Sequence, residues 1–129
     1  MDEAFIKKVQ PNSPEAEQSV IGAMIMDRDA IADVIDIVNA DDFYQKQNGI
    51  LFEAMTELYR EGKPVDLVTL QNKLKKKDVP ESMKSLEFIR DLLEAVPTSA
   101  NAKQYAKIVS EKAKVTYQSG TLLMIMSRD

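Results

Sequence analysis

Ile31, Val34, Ile35 and Val38 keep the i, i+3, i+4, i+7 rhythm of one buried helix face, and the same rhythm recurs along most of the chain. Upstream, Ala16, Val20, Ala23 and Met24 hold core spacing, with Ile21 and Ile25 widening the face. Ser13 is placed to cap that first helix and Pro14 to occupy its first position. Glu15 and Glu17 then lie near the positive end of its dipole. Asp27 to Asp29 turn the chain into the second helix, Asn39 to Asp42 break it, and Phe43 and Tyr44 are expected to anchor the connection. A third helix carries Ile50, Leu51, Ala54, Met55, Leu58 and Tyr59, and Gly62 and Pro64 stop it. Asp66 caps a fourth, with Leu67, Leu70 and Leu74 inward. After Val79 and Pro80, Ser85 caps a fifth with Leu86, Ile89, Leu92, Leu93 and Val96, ending before Pro97. Thr98 or Ser99 opens a sixth.

No stretch sustains the period-two alternation of a strand. The expected fold is therefore all-α: a small helical bundle head of five or six short helices, followed by a long helix or helical hairpin. The expected division is an arm over 1–12, in which Phe5, Ile6 and Val9 can tuck against the body, a head over 13–97, and the terminal helix or hairpin over 98–129.

The last of these segments is too greasy for one packing partner. Wound at about 100° per residue, Ala102, Tyr105, Ala106, Ile108, Val109, Ala113 and Val115 cover roughly half the circumference, whereas one-sided packing needs a stripe of about 100°. Lys103, Lys107, Ser110, Glu111 and Lys114 fill the rest. The expectation is two partners, the chain's own core and a second protomer, with a long helix wrapped by its own domain as the alternative. The expected protomer interface is Tyr105, Ile108, Val109 and Val115, joined by Leu122, Leu123, Ile125 and Met126 where the tail folds back. SerGlyThr at 119–121 fits a bend or a frayed turn, and the apolar run Leu122 to Met126 calls for cover.

Composition narrows the function classes. The 129 residues contain neither cysteine nor histidine, which removes disulfides, thiolate metal sites, imidazole bases and the usual zinc ligand. No apolar run reaches the length of a membrane span, and the N-terminus lacks a signal-peptide pattern, so a cytoplasmic protein is expected. The net charge of -4 and a pI near 4.9 argue against a broadly basic nucleic-acid binder. That charge is divided unevenly. Residues 1–66 hold 6 Lys/Arg against 14 Asp/Glu, and residues 67–129 hold 11 against 7, a polarity able to orient like protomers.

Candidate chemistry is sparse. The glycines at 22, 49, 62 and 120 cannot build a phosphate-cradling loop, and the GlyLys pair at 62–63 runs into proline. Glu53 with Glu57, Asp33 with Asp36, and Asp27 with Asp29 are carboxylate pairs on polar helix faces, read as solvated surface. The lysines at 73–77 read as a solvated helix end, with phosphate contact as the alternative. No catalytic, cofactor or metal residue is assigned. Met24 and Met26 read as core filling, with an adaptable docking surface as the alternative.

Four segments, SPEAEQSVIGAMIMD (13–27), DDFYQKQNGILFEAM (41–55), GKPVDLVTLQNKL (62–74) and AVPTSANAKQYAKIVSEK (95–112), resemble in order and spacing the amino-terminal domain of bacterial DnaB-type replicative DNA helicases. The likeness covers about residues 10–115. GluSerMetLysSer at 81–85 departs from the glycine-rich turn common there, and the tail after Tyr117 lacks the family's arginine-rich continuation. The resemblance implies a non-catalytic collar domain that pairs as a dimer or trimer of dimers, a hexamer in the parent protein. Primase and the helicase loader would dock on it at the replication fork, with DNA contact weak or indirect. ATP and magnesium would belong to a motor domain absent from this chain, and this chain would need no cofactor. The competing expectations are a free-standing accessory protein that modulates a helicase, and a DNA-binding helical protein.

Overall fold

The computed structural model describes residues 13–94 and 101–114. They form six α-helices and two short 3-10 turns, with no strand among the described residues, so the all-α expectation holds. The helices are α1 (Pro14–Met26), α2 (Arg28–Ile35), α3 (Lys46–Arg60), α4 (Leu67–Lys75), α5 (Leu86–Glu94) and α6 (residues 102–114).

The helix boundaries follow from cap chemistry. Ser13 accepts the Ala16 amide at 3.3 Å, with Pro14 at the first helical position. Asp27 serves twice: its backbone N–H closes α1 onto Ala23, and its carboxylate accepts the Asp29 amide at 2.9 Å to open α2. Asp66 and Thr69 exchange side-chain and backbone hydrogen bonds at 2.9 Å each, a reciprocal capping box at the start of α4. Ser85 accepts the Phe88 amide at 3.1 Å and opens α5. At the end of α3, the Lys63 amide reaches Leu58 and the Gly62 amide reaches Tyr59. That Schellman arrangement needs a left-handed residue, and Gly62 supplies it at φ 73°.

Core positions match the sequence periodicity. Val20, Ile21, Met24, Ile31, Val34, Leu51, Met55, Leu70, Leu74 and Ile89 are buried together in one cluster. Within it, α1 packs on α2, α3 and α5, α3 on α4, and α4 on α5. Ala102, Ala106 and Val109 bring α6 into the same cluster.

Two features lie outside the sequence expectation. The break after α2 is a 3-10 turn, Ala40–Asp42, whose Asp42 carboxylate accepts the Asn39 amide at 3.0 Å. Of the two aromatics that follow it, Phe43 anchors, its ring 5.4 Å from that of Phe52, but Tyr44 is 54% exposed. A second 3-10 turn, Glu81–Lys84, buries Met83 and stands where the glycine-rich turn was missing.

Candidate interaction surfaces

Helix α6 presents its residues in three bands. Ala102, Ala106 and Val109, spaced i, i+4, i+7, are buried in the chain's own core, with Val109 only 2% exposed. Tyr105 and Ile108 lie beside that stripe and are half-buried, packed against the core from its edge. Lys103, Lys107 and Lys114 are exposed. The broad apolar arc thus divides into an inward stripe and a flank. Of the expected interface residues, Val109 belongs to the inward stripe, whereas Tyr105 and Ile108 form the flank. Val115, Leu122, Leu123, Ile125 and Met126 lie outside the described residues.

The polar face between α3 and α4 carries a ladder of ion pairs. Lys73 Nζ lies 2.6 Å from Glu61 and 3.5 Å from Glu57, while Lys77 Nζ lies 2.9 Å from Glu57 and 3.6 Å from Glu53. Lys63 joins at 3.4 Å from Glu61. Glu53 and Glu57 are therefore not a free carboxylate pair, and Lys73 and Lys77 are turned toward α3. Lys75 and Lys76 point to solvent. The Lys73 hydrogen bond, with lesser help from the nearby Lys63 and Lys73 charges, holds the Glu61 carboxyl below its ordinary value of 4.5. Reciprocally, the Glu61 hydrogen bond raises Lys73 above 10.5.

A depressed carboxyl stabilises the fold above its unfolded pKa and loses that contribution as pH falls through the folded one. Replacing Glu61 by Gln is expected to lower the urea midpoint at pH 6. The deficit should shrink as pH falls below 4.5 and the folded carboxyl takes up its proton. A deficit that stays constant below pH 4.5, read by circular dichroism, would contradict the ladder.

Beside the ladder, Phe43, Tyr44, Lys46, Ile50, Lys77 and Val79 line an open groove of about 680 Å³. Its wall is held by Glu17, which is buried at 2% exposure. One carboxylate oxygen accepts the Tyr44 amide at 2.7 Å. The other accepts the Gln45 amide and the Asn48 side-chain amide, each at 3.1 Å. Gln45, the residue capping α3, makes no side-chain cap of its own, and the first turn of α3 has no acidic residue. Glu17 supplies both the acceptor and the negative charge to that helix end from 28 residues earlier in the chain. Glu17 lies in the first turn of its own helix, as expected, and its hydrogen bonds reach beyond it. Its partner is the start of α3.

Arg28 fastens the opposite end of α3. Its guanidinium donates to the Lys63 carbonyl at 2.8 Å and lies 4.8 Å from the centre of the Tyr59 ring. Met24 is fully buried, as core filling required, while Met26 is 50% exposed. Among the described residues, no group of three or more carboxylates could hold a metal ion. No helix among them is long and apolar enough to cross a membrane. The described residues thus present a half-covered helix flank on α6, a mixed groove and a ladder of ion pairs.

The sequence pattern of the DnaB-like helicase N-terminal domain matches residues 9–111. The chain belongs to that family. Among curated relatives, it is 38% identical over 107 residues to the replicative DNA helicase DnaB of Leifsonia xyli, covering 83% of this chain and 23% of the relative. The replicative DNA helicase DnaB of Geobacillus stearothermophilus is 38% identical over 113 residues, covering 88% of this chain and 25% of the relative. The chain thus spans about a quarter of the length of these DnaB relatives. In three dimensions it resembles the N-terminal domain of DnaB helicase from Mycobacterium tuberculosis, with a TM-score of 0.82 and 34% identity over 93% of this chain and 88% of that one. The N-terminal domain of the Helicobacter pylori DnaB helicase, solved in a study that includes its interactions with primase, shares the fold. Its TM-score is 0.74 at 22% identity, over 99% of this chain and 98% of that one.

Proposed function

We propose that this chain is the non-catalytic collar domain of a replicative DNA helicase, a cytoplasmic protein whose ATP- and magnesium-dependent motor lies in the remaining three-quarters of the relatives' length. In this reading the domain joins protomers, as a dimer or a trimer of dimers within a hexamer, and offers a docking platform to primase and a helicase loader. The observation that carries the reading is the divided face of α6 on a head of the DnaB N-terminal family. Its inward stripe completes the chain's own core, and Tyr105 and Ile108 stay half-covered beside it. The primase interaction reported for the Helicobacter pylori relative supports the docking role. A DNA-binding role through Lys73 to Lys77 is less well supported, because carboxylates of α3 engage two of those lysines.

Burying an isoleucine contributes about 1.5 to 3 kcal/mol, so placing a charge on the flank removes roughly tenfold or more from an association constant. Ile108→Glu is expected to weaken self-association in sedimentation equilibrium while leaving a cooperative unfolding transition. Val109→Ala should do the reverse, lowering the urea midpoint with the protomer equilibrium nearly unchanged. An Ile108→Glu protein with the wild-type mass distribution would remove α6 from the interface. Titration with a primase C-terminal domain, followed by calorimetry, tests the docking role separately.

A further inference from the structure

Two ridges of opposite charge run along different helices. On α2, Asp29, Asp33 and its C-cap Asp36 follow i, i+4, i+7 and are exposed, while Ala30, Ile31 and Val34 face inward. On α6, Lys103, Lys107 and Lys114 share one exposed face, about 110° around the helix from the inward stripe, with Ser110 between the last two and Glu111 at its border. None of these six charged side chains makes an ion pair or a side-chain hydrogen bond among the described residues. In contrast, Lys63, Lys73, Lys77 and Lys84 all find carboxylates within the chain. Arg28, the only cation in α2, is turned away onto Lys63 and Tyr59 and leaves the acidic ridge unneutralised.

The ridges match in pitch. At a rise of about 1.5 Å per residue, Asp29 and Asp36 lie about 10 Å apart along α2, as Lys107 and Lys114 do along α6, so two charges of each ridge can meet in one register. The same polarity divides the sequence, with 14 Asp/Glu against 6 Lys/Arg in residues 1–66 and 7 against 11 in residues 67–129. Like ridges repel when two copies approach in the wrong orientation, and unlike ridges attract, so the pair selects one orientation.

We propose that the acidic ridge of α2 on one copy docks against the lysine ridge of α6 on a second copy of this chain, fixing the orientation in which protomers associate. This rests on the self-association proposed above and names its electrostatic contact. Either one copy offers its acidic ridge while the next offers its lysines, which builds a ring, or both ridges are used reciprocally, which builds a two-fold dimer.

The test is a charge exchange in the 129-residue chain, read by sedimentation equilibrium at about 50 mM and about 500 mM salt. Asp29→Lys with Asp36→Lys, and separately Lys107→Glu with Lys114→Glu, should each weaken association about tenfold at the lower salt, with less effect at the higher. Combining all four substitutions restores complementarity and should bring association back to within about threefold of wild type. A four-fold variant no tighter than either parent overturns the ridge contact, as does wild-type association in both parents. A wild-type chain that stays monomeric at every concentration overturns this contact and the self-association reading together. Should the lysine variant associate normally but lose binding to a fluorescent single-stranded oligonucleotide, the lysine ridge belongs to nucleic acid and the proposal fails.

Discussion

Replacing Glu17 by Ala should lower the stability of this domain by about 3 kcal/mol, a large share of the 5–15 kcal/mol typical of a domain. The side chain is buried, and three donors converge on it: the Tyr44 and Gln45 amides and the Asn48 side chain. Hydrogen bonds to a charged acceptor contribute about 1.5 to 3 kcal/mol each, and the desolvation of the carboxylate offsets part of their sum. Once the acceptor is gone, the donors at the head of α3 must find water or stay unpaired. With a urea m-value of about 1–3 kcal/mol per molar, the midpoint should fall by about 1 to 3 M. Glu17→Gln keeps the shape but offers one acceptor oxygen where two are used, and should fall about halfway between. Glu15→Ala, exposed on the same turn, should change stability by no more than about 0.5 kcal/mol. Amide exchange at Tyr44 and Gln45 should accelerate in the Glu17 variants before the α1 amides are affected. Equal, small effects at positions 15 and 17 would refute the long-range cap.

The same residue marks where sequence reasoning stops. Ser13, Asp66, Ser85 and Gly62 were legible because a cap acts within three or four residues of itself, and the structure places each at the helix end its spacing announced. The core was legible for a related reason: period 3.6 turns Ile31 and Val34, or Leu70 and Leu74, to one side whatever lies opposite. Glu17 is an acid in the first turn of its own helix, as its position suggests, but nothing near it in sequence reports that α3 begins at Lys46 without a cap of its own. Arg28 and the Glu53 to Lys77 ladder are likewise products of how helices lie against each other, and a one-dimensional pattern carries no such information. In α6 the periodicity gave the breadth of the apolar arc but not its division, which depends on how far the core of α1 to α5 extends. Val109 falls on the covered side and Ile108 on the edge, though only about 100° of helix rotation separates them.

Gly49 poses the opposite case, in which local propensity and tertiary geometry predict different signs. A glycine inside a helix such as α3 is less favourable than alanine by about 1 kcal/mol, so propensity alone expects Gly49→Ala to stabilise. A Cβ at that position would meet the Ala40 carbonyl oxygen at 2.7 Å, inside van der Waals contact with backbone that has no rotamer to change. That carbonyl already accepts the Phe43 amide at 3.3 Å, so pushing it aside loosens the 3-10 turn and the aromatic anchor that follows. Overpacking of this kind costs about 1–3 kcal/mol and outweighs the propensity gain, leaving Gly49→Ala destabilised by about 1–2 kcal/mol and Gly49→Val by more. The displaced turn leads directly into Tyr44 and Gln45, so the strain should also lengthen the hydrogen bonds to Glu17. The two substitutions should therefore couple: Glu17→Ala combined with Gly49→Ala should cost less than the sum of the single variants in a double-mutant cycle of urea midpoints. A Gly49→Ala protein more stable than wild type would mean that α3 and the Ala40 turn lie farther apart than 2.7 Å allows.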